Sequence, residues 1–186
     1  MTSTSAPPAK HFRLTPTEIR VAEQLVAGRS NSHAAAALGM KPETFKGHLS
    51  KIGEKVQVPT SRPARAHAIL LSGQVAPPTT SANRPQLTED DQLLLTAAAE
   101  HSTTAGIARA AGMSPKTVRR KLAALVTRTG ADNLTHLVGL SHYWGYLGAR
   151  QPAAPSTEHC AHQSQPCEVS ASARPHAAGQ TCGGAT

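Results

Sequence analysis

Apolar positions along this chain fall into short groups with helical spacing, each opened by a capping residue and closed by glycine or a polar run. Thr15-Pro16-Thr17-Glu18 is a capping box with proline at the first helical position, and Val21, Ala22 and Leu25 share one face behind it until Gly28. Ser30 or Asn31 caps a second helix over His33–Leu38, built almost wholly of alanine, and Gly39-Met40 makes a turn. Pro42 opens a third helix whose inner face is Phe45, Leu49, Ile52 and Val56. A fourth runs from about Ser61 to Leu71 with Ala66, Ile69 and Leu70 inward.

The same order then recurs. Thr88 starts a helix with Leu94 and Leu95 inward, a short helix occupies about 104–111, and Gly112-Met113 turns into the cap Ser114-Pro115. Val118, Leu122 and Leu125 form the next inner face, and a last helix from the Asn133 cap carries Leu134, Leu137, Val138, Tyr143 and Trp144. Sliding the chain by 73 positions places Leu14-Thr15 on Leu87-Thr88 without a gap. It also places Ala35, Ala37, Gly39, Met40, Pro42, Thr44 and Leu49 on identical residues, nine identities in 36 positions. The ordered Gly-Met-x-Pro-x-Thr marks an internal repeat. The expected fold is all-α, with two small four-helix helix-turn-helix modules in tandem over 14–71 and 87–148. A proline-containing linker over 72–86 joins them; if partly polyproline-like it could reach ~45 Å. Residues 1–13 read as a flexible N-terminus, and 149–186, which hold no Leu or Ile, as a disordered tail.

Composition supports small helices and excludes other classes. The 186 residues include 32 alanines and five aromatics, too few strand formers for a β-sandwich and too few bulky rings for a large enzyme core. No run approaches a membrane span, no secretory signal is legible, and a cytoplasmic, nucleoid-associated protein is expected. The net charge of +8 divides into +6 on residues 1–83, +3 on 84–150 and −1 beyond. A basic excess on the two helical segments points to a polyanion. No glycine elbow, phosphate loop or carboxylate pair suggests catalysis, so no enzyme and no cofactor is expected. Glu89-Asp90-Asp91 fits acid at a helix N-terminus instead. His159, Cys160, His162 and Cys167 are zinc-compatible ligand types, but their spacing fits no structural zinc pattern and no metal is expected.

A small second helix, a glycine turn and a longer third helix are the ingredients of a helix-turn-helix, whose third helix buries one stripe and offers the other to a DNA groove. Opposite the apolar stripe stand Glu43, Lys46, Gly47 and Ser50 in the first repeat and Lys116, Arg119 and Arg120 in the second. With their neighbours Thr44, His48, Lys51, Thr117 and Lys121 they are the candidate DNA contacts, weighed against a plain solvated face. Arg62 and Lys55 stand between DNA contact and pairing with a local acid such as Glu54. Tyr143, Trp144 and Tyr146 stand between a partner patch and closure of the second core.

The segment from Leu14 to Val58 resembles the DNA-binding domain of LuxR-type transcriptional regulators. The resemblance rests on Leu14-Thr15-Pro16, Glu18, Val21, Gly28, Ser30-Asn31, Thr44-Phe45-Lys46, His48-Leu49 and Lys55. The second segment is more loosely similar through Leu87-Thr88, Met113-Ser114-Pro115, Thr117-Val118-Arg119 and Gly130 to His136. The resemblance implies a bacterial four-helix module whose third helix enters the major groove, with Lys46 and His48 at contact positions, and whose fourth helix commonly makes a dimer contact. Lys41 departs from the usual serine cap, and Ser32-His33 from the usual Lys-Glu. With 13 residues before the first module, no receiver or ligand-binding domain is expected there. The expected function is a sequence-specific double-stranded-DNA-binding regulator, with homodimerisation through the fourth helices as a further option. Two alternatives remain: a module contacting RNA polymerase, a sigma factor or another regulatory protein, and a plasmid or phage replication or transfer site-binding protein.

Overall fold

The computed structural model describes residues 12–58 and 60–148, all within the first of the chain's two compact units, Met1–Ala153. The tail calls, including its Cys and His residues, lie outside the described residues, as does most of 1–13. Among the described residues there are eight helices and no strand. They are α1 (Pro16–Val26), α2 (Asn31–Ala37), α3 (Pro42–Lys55), α4 (Arg62–Leu71), α5 (Glu89–Glu100), α6 (Thr104–Ala110), α7 (Pro115–Thr129) and α8 (Leu134–Tyr143).

Their starts are written in local chemistry. Thr15 accepts from the Glu18 amide while the Glu18 carboxylate accepts from the Thr15 amide at 2.7 Å, and Thr88 with Asp91 repeats the box at α5. Ser30, Ser61, Thr103, Ser114 and Asn133 cap α2, α4, α6, α7 and α8 with their side chains. Lys41, before α3, makes no such bond. α2 begins at Asn31, two residues earlier than its alanine run suggests, because Ser30 is the cap. The starts of α5, α6 and α7 lie 73 residues beyond those of α1, α2 and α3, and α8 starts 72 beyond α4.

Each set of four helices closes its own apolar core. One gathers Val21, Leu25, Phe45, Ile52 and Ile69; the other gathers Leu94, Leu95, Leu125, Leu137 and Val138. The sets are nevertheless packed together, α4 lying on α8 and α5, and α1 on α8. A Cβ built on Gly139 would lie 2.6 Å from the Val26 carbonyl oxygen and 2.9 Å from Pro78 Cγ, so α8 reaches the end of α1 only because position 139 is glycine. Asn133 Nδ2 donates to the Gly28 carbonyl at 2.6 Å, and His67 Nδ1 lies 2.8 Å from His142 Nε2 across α4 and α8.

Two expectations change. The 72–86 segment is no free tether, because Val75 is buried in the first core and Gln74 ties it to the chain start. Gln74 Oε1 accepts from the Leu14 amide at 2.8 Å and its Nε2 donates to the Phe12 carbonyl at 2.9 Å. At its far end Arg84 lies over the Tyr146 ring, 4.2 Å from the centroid, and the Tyr146 hydroxyl donates to the Pro85 carbonyl. Nor do the three rings form one patch. Trp144 is the C-cap of α8, is 6% exposed and closes the second core, Tyr146 packs against that core, and Tyr143 alone is 45% exposed.

Two outcomes follow from this contact. Gly139→Val lowers stability by about 2 kcal/mol or more, because overpacking pushes α8 off the Val26 carbonyl; urea unfolding measures it. Burial and the neighbouring His67 push the His142 imidazole down to about 4 from 6.5, and burial also lowers His67, against the opposing pull of Glu100. A histidine depressed in the folded state contributes stability above its unfolded value that is lost as pH falls from 6.5 towards 4. His142→Gln should therefore show a flatter fall in unfolding free energy between those pH values than the wild type, and equal slopes would exclude this pair as the acid-sensitive element.

Candidate nucleic-acid interface

Both third helices are anchored by an apolar inner stripe, Phe45, Leu49 and Ile52 on α3 and Val118, Leu122 and Leu125 on α7. A polar clamp fixes the end of each. Glu18, 4% exposed, receives Lys55 Nζ at 2.6 Å, and the same ammonium donates to the Arg13 carbonyl at 3.1 Å. Asp91 receives the Arg128 guanidinium in the same way, and both members of the pair lie 73 residues beyond their counterparts. Burial pushes the Glu18 carboxyl up, but the Lys55 and Thr15 hydrogen bonds outweigh it and hold the group below its ordinary range. Asp91 is held low by Arg128 and Thr88 against the same burial.

The clamp settles Lys55, which pairs with Glu18 and not with Glu54. Sequence reading missed it, although the signal was present: an acid at the third position of the first helix and a base 37 residues later, twice. Arg62 is also held locally, its Nη1 donating to Asn31 Oδ1 at 2.6 Å and its Nη2 to the Arg29 carbonyl at 2.8 Å. It thereby ties α4 to the turn before α2. Arg65 lies across Gly53, where a Cβ would come within 2.9 Å of its Nε, and donates to the Val58 carbonyl at 3.0 Å. Burial lowers the pKa of both guanidinium groups, and Arg62 adds to the effect on Arg65.

The candidate contacts divide by exposure. On α3, Glu43, Thr44, Lys46, Gly47, Ser50 and Lys51 are exposed and His48 is half-buried, but Lys46 Nζ is paired with Glu43 Oε1 at 2.9 Å. On α7, Lys116, Arg119 and Arg120 are exposed and carry no ion pair among the described residues. Thr117 is half-buried, its hydroxyl 2.9 Å from that of the cap Ser114. Lys121 departs from the expected open face: it turns back to Asp90 Oδ2 at 3.2 Å. Beside α3 an open cleft is lined by Arg29, Lys46 and Arg62 and, from the other set of helices, by Asn133, Leu134 and Thr135, with no carboxylate among its lining residues. Exposed cationic side chains on the third helices are groups of the kind that a phosphate backbone engages.

Lys55→Ala leaves the Glu18 carboxylate buried without its strongest partner. Stability at neutral pH should fall by about 1–3 kcal/mol in chemical denaturation. Glu18 contributes stability above its unfolded value of 4.5 that is lost as pH falls below it, so the gap between variant and wild type should narrow in acid.

Residues 13–68, spanning α1 to most of α4, match the family model described as bacterial regulatory proteins, luxR family. Comparison with curated proteins and with solved structures gave no match. No helix among the described residues is long and apolar enough to cross a membrane. The sequence resemblance, the four-helix packing and the family match agree over one stretch: residues 13–68 are a LuxR-family helix-turn-helix domain.

Proposed function

We propose that this chain is a sequence-specific DNA-binding transcription regulator with two helix-turn-helix modules, α1–α4 and α5–α8, whose third helices α3 and α7 enter major grooves of one duplex. On this reading it is a cytoplasmic, nucleoid-associated binding protein and not a catalyst. The family match over 13–68 supports DNA binding by the first module. The observation that carries the second is the repeated clamp: Glu18 with Lys55 and Asp91 with Arg128 join equivalent helices in the same register, beneath equivalent capping boxes. Separate cores and the 73-residue spacing of the first three helix starts point the same way.

Contacts between the two sets support an internal pair. Exchanging the sets converts the α1–α8 contact into α5–α4 and leaves α4–α8 in place, the pattern of a self-complementary two-fold interface. Within one chain the fourth helices thus cover one another, and the homodimer expected through that face gives way to pairing in cis. Successive major grooves on one side of a duplex lie ~34 Å apart, the distance such a pair has to bridge.

Binding of the full chain to duplex DNA, followed by fluorescence anisotropy, should weaken steeply between ~50 and ~200 mM salt. Joint replacement of Arg119 and Arg120 by Ala should lower affinity about tenfold and flatten the salt slope by up to about two. Unchanged affinity would remove α7 from the DNA contact and favour a protein-binding role for α5–α8.

A further inference from the structure

We propose that the DNA site of this chain is non-palindromic, with two unlike half-elements and guanines in the one facing α7. The inference rests on the reading of α5–α8 as a second DNA module. It comes from comparing the two third helices at the same register, 73 residues apart. The first exposed turn carries Glu43 on α3 and Lys116 on α7, a reversal of charge. One helical turn on, Lys46 stands opposite Arg119 and Gly47 opposite Arg120, so one helix has a bare backbone where the other has a guanidinium.

Pairing widens the difference. Lys46 is engaged by Glu43 at 2.9 Å within α3, whereas Lys116, Arg119 and Arg120 have no ion pair among the described residues. The chemistry then diverges by base. Lysine and especially arginine donate to guanine O6 and N7 in the major groove, whereas a carboxylate accepts from cytosine N4 and has nothing to offer guanine. Two identical chains related by a two-fold axis present identical reading helices, and their sites repeat as inverted halves. Here the halves of the pair are chemically different, so a palindrome that suits one helix would leave the other mismatched at its half. Because the two reading helices differ at these positions, the bases of the two halves select which helix meets which half, and with it a polarity of binding.

Selection from a random duplex library with the full chain tests this. The expected product is a site with two unlike elements centred about one turn apart, bound by one chain. In it, Arg119→Ala with Arg120→Ala erases the guanine preference of one element and weakens binding roughly 5- to 100-fold, leaving the other element's consensus intact. Glu43→Ala should change only that other element. Both variants alter exposed side chains, and an unchanged unfolding curve identifies any loss as a loss of contact. A palindromic consensus overturns the proposal while leaving DNA binding by both modules standing. A single element indifferent to the α7 substitutions overturns it together with the two-module reading, and no enrichment at all overturns DNA binding itself.

Discussion

A side chain at position 139 would sit 2.6 Å from the Val26 carbonyl, and the approach of α8 to the end of α1 depends on that missing group. With glycine there, α8 drops onto the end of α1, which brings its Asn133 cap within reach of the Gly28 carbonyl and sets His142 against His67. Gly28 answers in kind, because a Cβ on it would collide with His136 at 2.5 Å. The junction is small-residue and polar rather than a continuation of either apolar core. Its geometry is therefore set by close approach and hydrogen bonds, which specify one arrangement more narrowly than apolar contact does.

Presentation of the third helices depends on a different device. An apolar stripe alone lets a short helix rotate or slide, while a buried carboxylate accepts only a partner placed at hydrogen-bond distance. Glu18 and Asp91 serve twice, closing the cap of the first helix and gripping the last turn of the third. Burying them costs desolvation that the bonds to Lys55 and Arg128 offset. The return is orientation more than net stability.

What was legible in the sequence was local. Caps, N1 prolines and helical spacing located the eight helices of the described residues, and the Gly-Met-x-Pro-x-Thr repeat aligned the third helices, because each signal lies within a few residues of what it determines. Contacts distant along the chain were not legible. His67 and His142 are 75 positions apart, and nothing in either neighbourhood announces the other. Prolines in 72–86 read as a tether, yet a single Val75 and a single Gln74 suffice to dock that segment. Lys121 neighbours the open stripe in sequence, but its long flexible chain reaches Asp90. The family match reaches the first four helices only, and the likeness of α5–α8 to them lies in register.

If α3 and α7 both read DNA as proposed, the packing of α4 on α8 changes what the pair discriminates. A flexible tether of ~15 residues raises effective concentration but lets the second module find its element over a wide range of spacings. Halves packed through α4 and α8 would forgo that search, the two proposed reading helices keeping one separation and one phase on the duplex. An element shifted by half a turn then lies on the opposite side of the DNA, reachable only by bending the duplex or opening the junction. On that proposal spacing would be as selective as base identity, and the selectivity would reside in junction residues such as Gly139.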